Sequence, residues 1–127
     1  MKTQIEQLKD FHTAFGVNML KSPAIPSIER CELRQRILEE EVGELKEAWE
    51  NDDIVKVADG IIDCLYILLG TAHEFGMQNI LVEMFDEVHR SNMSKLDING
   101  KPIYREDGKV LKSILFSAPN LEKIINR

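Results

Sequence analysis

The stretch that decides the fold is Arg36 to Trp49, RILEEEVGELKEAW, an amphipathic helical pattern that carries too many acids on its apolar side. At about 100° per residue, one sector of this helix holds its apolar side chains and is expected to be buried. That sector contains Ile37, Leu38, Val42, Leu45, Ala48 and Trp49. Glu41 falls inside it, Glu44 lies on its edge, and Glu40 lies a little further round. A buried carboxylate is costly unless it is paired or binds a metal. The pattern therefore predicts a cation near these glutamates.

Composition indicates one acidic domain that spans residues 1–127. Of the 127 residues, 43% are hydrophobic and 30% are charged, which is enough to bury a core. The formal net charge of −6 argues against binding to nucleic acid or to an anionic membrane. No leader pattern opens the chain, and the apolar run Ile61 to Leu69 is broken by Asp63. We therefore expect a cytoplasmic protein. The cysteines, Cys31 and Cys64, form no metal-binding or redox motif.

Hydrophobic periodicity and capping residues predict four helices followed by a short appendix. The expected helices are Thr3 to about Asn18 with Thr3 as N-cap, Ser27 to about Glu50, Asp53 to about Phe75, and Asn79 to about Lys95. After Leu96, NG and DG dipeptides predict a β-hairpin or an ordered loop with a local excess of basic residues, Lys109 among them. A terminal helix is expected from Ala118 to Arg127. The fold class is all-α, with a four-helix bundle at its centre.

The third expected helix is apolar almost all round, which is typical of the centre of a bundle. One stripe of it is polar or small, and comprises Lys56, Asp59, Gly60, Asp63, Gly70 and Glu74. If the second and third helices form an antiparallel hairpin, Glu44 lies opposite Asp59 and Gly60, and Glu41 lies opposite Asp63. Converging carboxylates without nearby histidine or cysteine ligands suit Mg²⁺, or Mn²⁺.

Cationic and polar residues on the inward faces point to a phosphorylated substrate. Arg34 falls in the inward sector of the second helix, and Asn92 and Lys95 continue the buried stripe of the fourth. Together with a metal, these groups predict a phosphate ester or anhydride as substrate. His12 and Phe15 are candidates for contact with a nucleobase, although a core phenylalanine beside a surface histidine is the commoner arrangement.

At this point a family resemblance supports the same chemistry. LEEEVGELKEA followed by DGIIDCLYILLG resembles the all-α nucleoside triphosphate pyrophosphohydrolases, which include MazG-like enzymes, dimeric dUTPases and phosphoribosyl-ATP pyrophosphohydrolases. Their hallmark is EExxE on one helix and ExxD on the next. Glu40, Glu41 and Glu44 match the first motif and Asp63 matches the end of the second. Gly60 stands where the other acid is expected, with Asp59 one residue earlier.

The resemblance extends along nearly the whole chain. HRSNMSKL, with Asn92 and Lys95, is similar to the phosphate-contacting end of the family's fourth helix, and FHTAFG and GKPIYREDGKVLK resemble one MazG-like subgroup. It implies a four-helix MazG-like bundle with a C-terminal basic loop or hairpin and a short terminal helix. It also implies Mg²⁺-dependent hydrolysis of nucleoside triphosphates to monophosphate and pyrophosphate, in a house-cleaning role that includes dUTP. Within the EExxE motif, Glu40 is our choice for the residue that activates water.

Three other readings stay open at this point. Glu39 and Glu47 are expected to be solvated, and Asp59 or Asp63 could instead belong to a structural ion pair. A di-iron bundle would need two Glu-x-x-His motifs, and Asp86 with His89 gives one imperfect copy. A non-catalytic helical dimer that binds nucleotides or a protein partner is the main functional alternative. For the enzyme and for the non-catalytic alternative alike, we expect a homodimer or a homotetramer.

Overall fold

The computed structural model describes all residues from 1 to 127 and contains five α-helices and one two-stranded sheet. In chain order these are α1 (Lys2–Phe15), α2 (Ile28–Glu50), α3 (Ile54–Glu74), α4 (Leu81–Met93), β1 (Ile103–Tyr104), β2 (Val110–Leu111) and α5 (Leu121–Ile125). The predicted all-α class is confirmed. Contacts cluster into two compact units, Met1–Asn79 and Ile80–Arg127, so the single domain stays a prediction. None of the five helices combines the length and the hydrophobicity that crossing a bilayer requires.

The first helix differs from the sequence prediction at both ends. Met1 occupies the N-cap position, so the choice of Thr3 was wrong and Thr3 lies inside the first turn. Gly16 adopts the left-handed conformation at φ 67°, and its N–H donates to the carbonyl of His12. This glycine ends the helix before Asn18, because the left-handed conformation cannot continue a right-handed helix.

Helices α2 and α3 form the predicted hairpin with the predicted boundaries. The hydroxyl of Ser27 accepts a hydrogen bond from the Arg30 N–H at 3.4 Å at the start of α2. Asp53 caps α3 by accepting from the Lys56 N–H at 3.1 Å. Between the helices, Asp52 turns the chain with φ 54°, a conformation that aspartate tolerates better than most residues. Caps and a short turn therefore define this hairpin locally.

The register of the hairpin is antiparallel along its whole length. At one end, Arg30 contacts Glu74; at the other, Gly60 lies against Leu45. A Cβ added at Gly60 would lie 3.1 Å from both the Cα and the Cβ of Leu45. A side chain at this position would push the two helices apart, so glycine here permits their close approach.

Helix α1 and the connector that follows it pack against the C-terminal half of α3. The Nε2 atom of His73 lies 2.8 Å from the carbonyl oxygen of Ile5, and the Leu20 N–H donates to the His73 carbonyl at 3.0 Å. Gly76 ends this region at φ 70°, where an added Cβ would lie 2.0 Å from the carbonyl oxygen of Ser22. Backbone hydrogen bonds from Leu20 and Ala24 thus hold the connector against the end of α3, while its apolar residue Ile25 is exposed.

The apolar surface of the hairpin is only partly covered by the chain itself. Side chains expected to be buried are exposed in both helices, namely Val42 and Trp49 in α2 and Ile54, Val55, Ile61, Ile62 and Leu68 in α3. The expectation that α3 is buried all round is therefore wrong for the single chain. Within the unit Met1–Asn79, the other helices cover only part of the surface of α3, and the rest of this helix is exposed.

The second unit contains α4, the hairpin and α5. Helix α4 ends at Met93, and its inward residues are Met84 and Ser91, whereas Phe85 and Asn92 are exposed. The predicted hairpin is present, with Ile103 paired to Leu111 and Tyr104 to Val110, and Gly108 in its turn at φ 88°. The terminal helix is also present, and the side chain of Asn120 caps it by accepting from the Lys123 N–H at 3.2 Å.

Two glycine substitutions test this packing. Gly76→Ala should lower the free energy of unfolding by at least about 2 kcal/mol, because it adds a left-handed alanine and a clash with the connector. Gly43→Ala is the control, since Gly43 is helical and nothing lies within 4 Å of its added Cβ. It should be neutral or stabilising by roughly 0.5–1 kcal/mol. Urea unfolding curves measure both, and equal effects would contradict the packing described.

Candidate functional site

Three carboxylates from α2 and α3 converge across the hairpin. One oxygen from each of Glu41, Glu44 and Asp63 lies within 4.8 Å of the others. Glu41 and Glu44 are three residues apart on α2 and so project from one face, and Asp63 meets them from α3. The antiparallel register therefore places Glu41 opposite Asp63, as the sequence pattern predicted.

This carboxylate cluster carries negative charge that the protein does not neutralise. Burial raises the pKa of Glu41, and the charges of Glu44 and Asp63 raise it further. The Oε2 atom of Glu41 is buried and has no hydrogen-bond partner. None of the five ion pairs in the structure involves the cluster. Burial, and then the charges of Glu41 and Asp63, also raise the pKa of the neighbouring Cys64 thiol.

A cleft of about 360 Å³ extends from the cluster toward the turn between α2 and α3. Its lining residues are Glu44, Glu47, Ala48, Asn51, Asp53, Lys56, Asp59, Gly60 and Asp63. Asp59, one helical turn before Asp63, faces this cleft but lies outside the cluster. Glu40 is exposed and also lies outside the cluster. The structure thus brings together three of the five predicted metal ligands.

Sequence reasoning missed several lining residues of this cleft. Glu47 is exposed as expected, and it also lines the cleft one turn beyond Glu44. The three-residue spacing from Glu44 was the available signal. Asn51 and Lys56 also line the cleft because the turn folds both helix ends around it. Glu39 is exposed as expected, and accepts a hydrogen bond from Gln35 Nε2 at 2.9 Å.

Arg34 belongs to a buried ion pair and also lines the apolar cavity described below, so its role in substrate binding stays a prediction. Its Nη1 atom lies 3.0 Å from Oε2 of Glu74, its Nε donates to Thr71 Oγ1 at 3.0 Å, and its Nη2 donates to the Ile67 carbonyl at 2.7 Å. Glu74 is fully buried, at 0% exposure, and also accepts from Arg30 Nε at 2.7 Å. Burial lowers the pKa of Arg34, and the charge of Glu74 opposes this change. Because a buried carboxylate must be compensated, Arg34 serves a structural ion pair, two helical turns from Glu41.

The expectation for His12 and Phe15 is reversed. His12 is 2% exposed, whereas Phe15 is 71% exposed and packs on Phe11 with ring centroids 4.4 Å apart. Burial lowers the pKa of His12, against a hydrogen bond between its Nδ1 and the Asn18 carbonyl. The periodicity of α1 predicted Phe15 on the buried side, which is wrong; the buried residues of this helix are Ile5, Leu8 and His12.

His12 lines a second, mainly apolar cavity of about 350 Å³ in the same unit. Its walls are formed by Leu8, Phe11, Val17, Leu33, Ile37, Tyr66 and Ile67, and its polar residues are His12, Arg30 and Arg34. Ile37 lies one helical turn before Glu41, and Ile67 lies one turn after Asp63. Along the hairpin, the carboxylate cluster therefore stands between this cavity and the acidic cleft.

The remaining candidates belong to the unit Ile80–Arg127. Asn92 is exposed in the last turn of α4, so its expected place on the buried stripe was wrong, and Ser91 is the buried residue there. Lys95 lies beyond the helix, with its N–H donating to the Asn92 carbonyl at 3.1 Å. Lys109 is exposed in the hairpin turn. A role for these residues at the carboxylate cluster stays a prediction. Asp86 and His89 are exposed and join no group of metal-ligating residues.

Comparison with known proteins gives a family. No curated protein matches the chain. Residues 8–92 match the family described as phosphoribosyl-ATP pyrophosphohydrolase. The match covers more than half of the chain and includes the carboxylate cluster, the acidic cleft and the apolar cavity. The chain therefore belongs to the phosphoribosyl-ATP pyrophosphohydrolase family, part of the all-α MazG-like superfamily of nucleoside triphosphate pyrophosphohydrolases.

Proposed function

We propose that this protein is a Mg²⁺-dependent pyrophosphohydrolase that converts nucleoside or deoxynucleoside triphosphates into monophosphate and pyrophosphate. Its family supports pyrophosphohydrolase activity on nucleotides. The observation that carries the finer proposal is the convergence of Glu41, Glu44 and Asp63 around a buried oxygen without a partner. A polyphosphate brought to these acids would be repelled unless cations stood between them.

The donor set of the carboxylate cluster fits a hard divalent cation. Glu41, Glu44 and Asp63 would hold it through carboxylate oxygens, which suit Mg²⁺ and also Mn²⁺. The unpaired Oε2 of Glu41 is the atom that most needs such a partner. Asp59, outside the cluster but at the cleft, fits a role through bound water in place of the acid absent at Gly60. The metal would supply charge neutralisation for the phosphates and a water of lowered pKa.

The proposed reaction is hydrolysis of the anhydride bond next to the α-phosphate. The oxygen of water bonds to the α-phosphorus, the bond from that phosphorus to the bridging oxygen breaks, and pyrophosphate leaves. We assign acceptance of the water proton to Glu40, which is exposed next to Glu41 and lies outside the cluster. A carboxylate that is free of the metal is better able to act as a base.

The apolar cavity beside the cluster supports binding of the nucleobase. Phe11 and Tyr66 pack edge to face with centroids 5.5 Å apart and supply an aromatic wall. The Nδ1 of His12 is occupied by Asn18, which leaves Nε2 for a polar edge of the base. Because Phe15 lies outside this cavity, we propose His12 without it. Asn92, Lys95 and Lys109 remain proposed phosphate contacts from the second unit.

The substrate range that we propose is broad and includes dUTP and non-standard nucleotides, as expected of a house-cleaning enzyme. The apolar cavity contains few polar groups, which favours contact by packing over strict readout of one base. A second candidate is a non-catalytic nucleotide-binding dimer, favoured by the single observation that Gly60 replaces an acid of the second motif. Release of pyrophosphate from a panel of dNTPs separates the two functions.

Glu41→Gln tests the mechanism directly. The substitution keeps the shape of the side chain and removes the charge, so turnover with Mg²⁺ should fall at least about 100-fold. The measurement is pyrophosphate release at saturating dUTP and Mg²⁺. Glu39→Gln is the matched control, because Glu39 is exposed and outside the cluster, and it should keep wild-type turnover. Undiminished turnover in Glu41→Gln would remove the mechanism.

Although Glu41→Gln should be less active, it should be more stable than the wild type when no metal is present. A carboxyl group whose pKa is raised on folding contributes stability at low pH that is lost as pH rises through its folded pKa. Metal-free wild-type protein should therefore lose stability between acidic and neutral pH. Without metal, Glu41→Gln should therefore unfold at a higher temperature than wild type at pH 7.5, because the variant carries no charge there. Added Mg²⁺ should stabilise wild type and leave the variant nearly unchanged.

Thermal unfolding with and without Mg²⁺ measures these differences, and Glu39→Gln should follow wild type in each condition. A Glu41→Gln protein that is less stable than wild type without metal would show that the fold alone satisfies the Glu41 carboxylate.

The exposed apolar side chains of α2 and α3 support a homodimer or a homotetramer. Trp49, Ile61 and Ile62 are each more than half exposed in the single chain, and burying such groups is a strong driving force for association. Light scattering at micromolar concentration should give two or four times the 14.6 kDa chain mass. A monomer at that concentration would contradict the prediction.

A further inference from the structure

Lys56 is the one basic side chain that lines the acidic cleft. The cleft otherwise presents five carboxylates, those of Glu44, Glu47, Asp53, Asp59 and Asp63. The MazG-like motifs in the sequence assign nothing to this lysine, which belongs to the first turn of α3. Lys56 is thus a single cation among five acids, in a cleft that leads to the carboxylate cluster.

The ammonium group of Lys56 is not used by the protein. Asp53 and Asp59 are three residues away on either side, a spacing that allows helical ion pairs. Nevertheless, none of the five ion pairs in the structure includes Lys56. The carboxylate of Asp53 instead accepts from the backbone N–H of Lys56 at 3.1 Å and so caps the helix. The backbone of Lys56 is thus fixed while its charge remains available to a ligand.

The position of Lys56 along the hairpin gives that ligand a direction. Lys56 precedes Asp63 by seven residues, which is about 10 Å along the helix axis. On the other side of the cluster lies the apolar cavity with Tyr66 and Ile67. One end of the site is therefore mainly apolar, with Arg30 and Arg34 paired to Glu74, and the centre is carboxylate. At the far end, Lys56 is a cation without an ion pair. A nucleoside triphosphate has the same order of parts, from base through α-phosphate to terminal phosphates.

We propose that Lys56 binds the β- and γ-phosphates of the substrate and thereby selects triphosphates by the length of their phosphate chain. This inference rests on the proposed function, and it adds the orientation of the substrate and the residue that holds the leaving pyrophosphate. A lysine suits this task, because its ammonium is a compact charge on a flexible stem and can follow the departing group.

Four proteins test the assignment: wild type, Lys56→Gln, Lys56→Arg and the control Lys46→Gln. Lys46 is an exposed lysine of α2 that does not line the cleft, so its variant makes the same change in net charge elsewhere. Calorimetry in the presence of Mg²⁺ gives the dissociation constants of the α,β-imido analogue of dUTP, of pyrophosphate and of dUMP. Pyrophosphate release from dUTP gives KM and kcat.

Lys56→Gln should weaken binding of the dUTP analogue and of pyrophosphate roughly tenfold, which is the loss expected for one charge-assisted hydrogen bond. KM for dUTP should rise by a similar factor, and dUMP should bind as it does to wild type. Lys56→Arg should recover most of the lost affinity, and Lys46→Gln should match wild type throughout.

Two results would overturn the proposal. One is unchanged affinity of Lys56→Gln for pyrophosphate and the dUTP analogue. The other is a gain in Mg²⁺ affinity in Lys56→Gln with nucleotide binding unaltered, which would mean that Lys56 only neutralises the cleft. The proposed function fails separately: if wild type binds the analogue through Lys56 but releases no pyrophosphate from any dNTP, the binding assignment stands and the catalytic one falls.

Discussion

The register of α2 against α3 is the constraint on which the rest of the site depends, and the buried carboxylate of Glu74 holds it at one end. Arg30 and Arg34 both reach this carboxylate, and Arg34 also binds the Ile67 carbonyl and the Thr71 hydroxyl. A slip of the hairpin would leave a fully buried charge without a partner, at a cost of several kcal/mol. Because the helices are antiparallel, the same register sets which α2 residues face Asp63. The ion pair of Arg34 with Glu74, two turns of α2 away, thus helps to set the geometry of the carboxylate cluster.

The carboxylate cluster destabilises the folded state, because its like charges repel one another. Burial, and then the charges of Glu44 and Asp63, raise the pKa of Glu41, and its Oε2 atom has no hydrogen-bond partner. Groups held in unfavourable surroundings by the structure around them are typical of sites that await a ligand. Gly60, on the polar and small stripe of α3, allows this helix to pack closely against Leu45 of α2. The hairpin therefore supplies enough packing to hold three repelling acids in place.

Much of this hairpin could be predicted from the sequence, because its determinants are local. Ser27 and Asp53 cap the two helices, and the position of the turn then pairs Glu41 with Asp63. The misses concern tertiary choices. The periodicity of α1 predicted Phe15 on the buried side, but the packing against α3 buries His12 instead. The pairing of Arg34 with Glu74 joins residues forty apart in sequence, and the exposure of apolar side chains on α2 and α3 depends on which faces the other helices cover.

The proposed function requires Glu41, Glu44 and Asp63 to hold a divalent cation for reaction with a nucleotide. The most direct measurement is anomalous scattering from crystals of the protein grown with Mn²⁺, which substitutes for Mg²⁺ and can be located by its anomalous signal. The account predicts a peak between these three carboxylates, at about 2.0–2.3 Å from their oxygens. A peak confined to exposed acids elsewhere, such as Asp86 on α4, or a fully ordered cluster without any peak, would contradict it.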